Sequence, residues 1–152
     1  MTGMIAPMRR SELHAMAETR LQALGQRYTT ARRALVDVLA DANVPLMIGE
    51  ISGRAEGLTV SSTYRNLAVM QQAGFVRRIV GSGEHASFEL AEEMIGHHHH
   101  LICTDCGSVR DFTISDELED EIEKALRRVA KRHDFGASEH RLDLVGVCGA
   151  CS

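Results

Sequence analysis

Apolar positions recur at helical spacing through the first half of this 152-residue chain and fall into short alternating runs through the second. Over 9–24, Leu13, Met16, Ala17, Leu21 and Leu24 share one stripe, and Gly25 follows directly, so the pattern predicts a helix that stops there. Thr29 or Thr30 can cap a second helix, on which Leu35, Val38 and Leu39 repeat. The break at Asn43-Val44-Pro45 ends it, and 47–55 predicts a short third helix closed by Gly57. Ser61 or Ser62 can cap a fourth, which carries Tyr64, Leu67 and Met70 and ends at Gly74. Residues 75–80 then read as a strand, Gly81-Ser82-Gly83 as a turn and 85–90 as a returning strand.

The second half predicts a small α/β unit. Strands are expected over 99–103 and 108–112, and a long helix over 115–133 with Leu118, Ile122, Ala125, Leu126 and Val129 as its stripe. Asp116, Glu117 and Glu119 crowd the first turn of that helix and Arg127, Arg128, Lys131 and Arg132 the last turns, which matches the helix dipole. A final alternation over 139–147 sets His140, Leu142 and Leu144 on one face. The fold class is therefore α+β: an N-terminal winged helix-turn-helix domain followed by a small α/β dimerisation domain. The first is expected over 1–82, with 1–8 disordered and the wing reaching about residue 90, and the second over 91–152. The small sheet would leave an open edge, which pairing with a second copy covers, so a homodimer is expected.

Charge divides the chain at the same place. The net charge of −4 splits into +4 over 1–82 and −8 over 83–152. A basic half with a winged-helix order of elements points to double-stranded DNA as partner. In that architecture the fourth helix enters the major groove, so Ser61, Ser62, Thr63, Tyr64 and Arg65 become the candidate DNA contacts. Arg27, Arg32 and Arg33 flank the second helix and can reach the phosphate backbone.

The cysteines add a metal. All four fall in two Cys-x-x-Cys pairs, Cys103/Cys106 and Cys148/Cys151, with none left over. One such pair could be a redox couple or a disulfide; two together match a closed tetrahedral Zn²⁺ site that staples separate elements and leaves no open position for catalysis. Four consecutive histidines, His97 to His100, precede the first pair. No run approaches the roughly 18 apolar residues of a membrane span, and no charged leader precedes an apolar segment, so a cytoplasmic chain with reduced thiols is expected. A zinc metalloenzyme lacks support, because His-Glu-x-x-His on a helix is absent. A metal storage protein would leave the basic half without use.

Several stretches together resemble the ferric uptake regulator superfamily, which includes zinc-, manganese-, nickel- and peroxide-sensing relatives. They are Ser62-Thr63-Tyr64-Arg65-Asn66-Leu67, Ala73-Gly74-Phe75-Val76, Phe88-Glu89-Leu90, the block from His97 through Cys103-Thr104-Asp105-Cys106-Gly107, and the closing Cys148/Cys151 pair. The resemblance covers about residues 20–151 in the family's order. It implies a dimeric, metal-dependent transcription factor, usually a repressor of metal uptake, binding a pseudo-palindromic operator.

The resemblance also sorts the ligands. Alternation along a strand turns His97 and His99 one way and His98 and His100 the other, so one run can feed two sites. The family's sensory site would take Glu89, His98 and His100, with His85 as candidate fourth ligand because Pro45 stands where a histidine is common. Arg77 occupies a hinge position used for ligation by zinc-sensing relatives and cannot ligate. The second dimerisation-domain site would take His97, His99, Glu123 and His140, and Asp111 is a further candidate for the sensory set. Such nitrogen and oxygen donors suit Fe²⁺ or Zn²⁺, and Mn²⁺ or Ni²⁺ as well; the missing sensory cysteine tilts the expectation toward iron.

Overall fold

The computed structural model describes residues 6–80 and 86–152. Two helices open the fold, α1 over Arg10–Ala23 and α2 over Thr30–Ala42. They are followed by β1 (Leu46–Met47), α3 (Ile48–Arg54) and α4 (Val60–Gln72). The wing strands β2 (Val76–Val80) and β3 (Ala86–Leu90) come next, then a one-turn helix α5 (Glu92–Ile95). The remainder is β4 (His99–Cys103), β5 (Val109–Phe112), α6 (Asp116–Arg132) and β6 (Asp143–Gly146).

Local chemistry sets the helix boundaries. Thr29 caps α2 by accepting from the Arg32 N–H at 3.3 Å, and Asn43 ends that helix in the left-handed region at φ 55°. Thr59 caps α4, accepting from the Ser62 N–H at 3.1 Å, so the helix starts earlier than a cap at Ser61 or Ser62 would put it. Gly74, at φ 71°, lets the chain leave α4 while the Phe75 N–H returns to the Met70 carbonyl at 3.0 Å.

The stripes of the first four helices meet in one core. Leu35, Val36, Ile51, Leu67, Met70, Phe75 and Met94 are fully buried there. Leu24, expected on the α1 stripe, is 44% exposed because the helix has already ended. β3 lies in the middle of a three-stranded antiparallel sheet, between β2 and the unforeseen β1. The pairing Leu46↔Phe88 fastens the segment after Pro45 to the wing. The short α5 was also not legible; Met94 anchors it in the core and its carbonyl accepts from the Met8 N–H at 2.9 Å. Met8, expected to be disordered, is thus tied down, while residues 1–5 lie outside the described residues.

A second sheet has the order β5-β4-β6, with β5 antiparallel and β6 parallel to β4. β6 is shorter than the expected run over 139–147, so His140 sits in the irregular approach to it. The apolar stripe of α6 is poorly covered among the described residues: none of its residues is buried, and Leu118, Leu126 and Val129 each stay more than 40% exposed. Leu144, Val145 and Val147 are more than half exposed. An exposed apolar helix stripe and an exposed apolar sheet edge of this kind fit burial against a second copy. Among the described residues, no helix is long and apolar enough to cross a membrane.

Candidate metal centres and nucleic-acid interface

Three clusters of metal-type donors form among the described residues, each with its donor atoms within 4.8 Å of one another. The first is built by the two cysteine knuckles. β4 delivers Cys103, Gly107 at φ 73° turns the first knuckle, and the Gly107 N–H returns to the Cys103 carbonyl at 3.1 Å. The parallel pairing of β6 with β4 brings the second knuckle alongside, and the Cys148 N–H donates to Cys103 Sγ at 3.3 Å.

The four thiols are free, and Cys106 Sγ stands 3.8 Å from Cys148 Sγ. A disulfide would need about 2.0 Å. A Zn–S bond of about 2.3 Å puts the edge of a tetrahedron at about 3.8 Å, so the spacing fits zinc. Backbone N–H groups of Cys106 and Cys148 bring the Cys103 thiol down to about 6, while the sulfurs around Cys151 push its thiol up to about 12. Ionising all four sulfurs together, Cys151 included, would call for a cation beside them, and Zn²⁺ would supply two charges.

The second cluster joins the two sheets. Glu89 comes from the wing strand β3, His98 and His100 from the start of the second unit, and Asp111 from β5 opposite His100. Glu89 is 4% exposed; its Oε2 lies 3.0 Å from His98 Nε2 and its Oε1 3.0 Å from His100 Nε2. Both outward nitrogens are held, His98 Nδ1 by the Gly96 carbonyl at 2.9 Å and His100 Nδ1 by Asp143 at 3.3 Å. A histidine whose second nitrogen is fixed this way presents the first as a ligand.

Asp111 lies 3.8 Å from both rings, and its Oδ1 is buried without a hydrogen-bond partner. Burial by itself would push the Glu89 pKa up, but bonds from His100, His98 and Arg77 hold it down at about 2. Burial raises Asp111 above the usual carboxylate range. Two inward imidazoles, the buried Glu89 carboxylate and the half-buried Asp111, whose Oδ1 is left without a hydrogen-bond partner, fit a divalent cation with nitrogen and oxygen preference. His85, the expected fourth ligand, lies outside the described residues, and Asp111 fills that place in the cluster.

The third cluster corrects the expected ligand set. Alternation along β4 and the turn before it sends His97 and His99 away from the second cluster, where they meet His140 and Glu119. Glu119 Oε1 lies 2.8 Å from His97 Nε2 and 2.7 Å from His140 Nε2, and its Oε2 lies 2.9 Å from His99 Nε2. Glu123, one turn further along α6, is not part of the cluster. It pairs with Arg127 and lines the cleft that also holds Arg77. Glu119 and Glu123 share a helix face, so only the axial placement of α6 decides which one reaches the histidines. His99 Nδ1 is buried without a partner. Glu92 of α5, also unforeseen, holds His97 Nδ1.

The expected DNA contacts divide into free and committed groups. Ser61, Tyr64 and Arg65 on α4 are exposed and Ser62 is half-buried. Thr63 is corrected: it is fully buried and its hydroxyl donates to the Thr59 carbonyl at 2.8 Å, so it faces the core. Arg27 is exposed. Arg32 instead braces α2 against α4, donating from Nε to Asn66 Oδ1 at 3.0 Å and from its guanidinium to the Arg27 carbonyl at 2.7 Å. The Arg33 guanidinium lies over the Tyr28 ring, 4.7 Å from its centre.

This combination of winged helix, second sheet and three donor clusters agrees with the sequence comparisons. The chain belongs to the ferric uptake regulator family, whose description matches residues 23–145. Members of that family are metal-responsive transcription regulators rather than enzymes. The chain is 32% identical over 139 residues to the ferric uptake regulation protein of Bordetella parapertussis, a match spanning 88% of this chain and 95% of that one. With the peroxide operon regulator of Bacillus subtilis it shares 30% over 145 residues, 93% of this chain and 94% of the relative. The crystal structure of the Vibrio cholerae ferric uptake regulator superposes with a TM-score of 0.69 at 28% identity, covering 86% of this chain and 98% of that one.

Two measurements test the clusters. Protein purified under reducing conditions should hold about one zinc per chain at the cysteine site, and Cys103→Ser should lose that zinc and melt at lower temperature, because structural zinc binding is folding free energy. At the third cluster, Glu119→Ala should remove one further equivalent of bound divalent metal in a calorimetric titration. Glu123→Ala should leave the stoichiometry unchanged.

Proposed function

We propose that this protein is a dimeric repressor of metal-uptake genes whose grip on operator DNA is set by a divalent metal at Glu89, His98, His100 and Asp111. One observation carries the reading: the cluster draws a carboxylate from the wing strand β3 and two imidazoles from the start of the second unit. A cation bound there supplies positive charge that donors on both sides of the hinge share. Residues up to the wing then act as the DNA-binding domain, and those beyond about residue 90 as the dimerisation domain.

α4 is the recognition helix of this reading, with Ser61, Ser62, Tyr64 and Arg65 at its accessible start and Arg27 on the flanking backbone side. The apolar surface of α6 and β6 is the dimer interface. In a dimer the two recognition helices must meet successive major grooves about 34 Å apart, so a metal that narrows hinge motion raises the fraction of dimers with fitting spacing. The crystal structure of the Vibrio cholerae ferric uptake regulator reveals a structural rearrangement of its DNA-binding domains, which supports a mobile hinge in this architecture. The regulatory ion is Fe²⁺, favoured over Zn²⁺ by a donor set of nitrogen and oxygen without thiolate, and the cysteine site holds structural Zn²⁺. A regulator acting on operator DNA works in the cytoplasm.

In gel-shift titrations with the pseudo-palindromic operator, Arg65→Ala should weaken binding by about 1–3 kcal/mol and relax sequence preference. Unchanged affinity would remove α4 from the groove. His98→Ala should abolish the metal response of DNA binding while the dimer and its cysteine-bound zinc persist. A full metal response in His98→Ala would transfer the sensory role to the third cluster.

A further inference from the structure

Among the described residues, Arg77 is the one permanent cation paired with the carboxylate of Glu89. On the wing, Arg77 in β2 stands directly opposite Glu89 in β3. Its Nε donates to Glu89 Oε1 at 3.0 Å and its terminal nitrogen reaches the same oxygen. The pair is withdrawn from water, with the arginine side chain 12% and the glutamate 4% exposed. Glu89 Oε1 is also the oxygen that faces His100 Nε2, so guanidinium and the histidine side of the cluster share one acceptor.

The two sets of contacts differ in how they depend on the hinge. Arg77 and Glu89 belong to one hairpin, so their pairing persists however the second sheet moves. The bonds from Glu89 to His98 and His100 cross between the sheets and are lost when these separate. A buried carboxylate left without any partner would strongly disfavour the open, metal-free arrangement. Arg77 removes that penalty. It also places a guanidinium, which does not lose its charge in proteins, beside the carboxylate that a divalent cation must use. Like charge and a shared oxygen both weaken the hold on that cation.

We infer that Arg77 is a threshold-setting residue of the metal sensor: by pairing permanently with Glu89 it lowers the affinity of the Glu89–His98–His100–Asp111 site for its divalent metal and keeps the metal-free state open. This rests on the reading of that cluster as the sensory site. Arg77 itself binds no metal and acts through Glu89.

The test uses the full-length dimer with its structural zinc retained, in a Glu119→Ala background so that the third cluster does not contribute. Co²⁺ is the probe, because its visible absorption reports binding directly and without DNA. Arg77→Met should tighten Co²⁺ binding about tenfold, which corresponds to about 1.4 kcal/mol. Arg77→Lys, which keeps the charge, should stay close to the parent affinity. Zinc content and melting temperature check that each variant is folded, and Arg77→Gln serves as second neutral variant should Arg77→Met fail to fold. Co²⁺ binding by the neutral variants that is unchanged or weaker would overturn the inference. Adding His98→Ala to the background should abolish the cobalt spectrum; a spectrum that survives would instead overturn the assignment of the site.

Discussion

Glu89 is a carboxylate taken almost wholly out of water at the seam between two sheets, and the arrangement around it follows from that burial. An ionised group in such a place must be matched by positive charge and hydrogen bonds. The chain answers with Arg77 from the adjacent strand and with His98 and His100 from across the seam. These partners hold the carboxyl ionised at about 2, well below the usual range, although burial pushes the other way. A carboxylate kept ionised and faced by imidazoles is the arrangement that a divalent cation can enter by displacing protons. The structural consequence is that wing and second sheet meet through a buried carboxylate whose partners come from both.

Four consecutive histidines make this possible without confusion between sites. Alternation of side chains divides them into two pairs, and each pair closes on a carboxylate from a different element. His98 and His100 meet the wing, and His97 and His99 meet the long helix. Beside them, the cysteine cluster ties the ends of β4 and β6 together, and the parallel pairing of those strands is what places the two knuckles at one point. The result is three donor clusters strung along one strand. The sheet that carries them is small, and the helix beside it keeps most of its apolar stripe exposed among the described residues.

Much of this was readable from residue order. Periodicity located the four N-terminal helices, the two wing strands and the long C-terminal helix to within a few residues, because each carries a stripe, a cap or a glycine stop of its own. The paired cysteines announced a four-cysteine cluster, and alternation divided the histidines between two further clusters, since both depend largely on local spacing. The Arg77–Glu89 pairing depends on the hairpin register, which sets Arg77 opposite Glu89.

What the sequence alone determined was therefore local: the type of the longer elements and the face a residue shares with its neighbours. Only tertiary structure decided that Glu119 rather than Glu123 reaches the third cluster, because the two share a helix face and differ by one turn of axial placement. It decided that Thr63 faces the core and that Arg32 spends its guanidinium bracing Asn66 and the Arg27 carbonyl. It brought Asp111 to Glu89, His98 and His100, where its buried oxygen lacks a partner, and tied α5 into the first core through Met94. In each case the deciding quantity is the relative position of two elements far apart in the chain. Local periodicity carries no information about that distance; packing of the assembled core sets it.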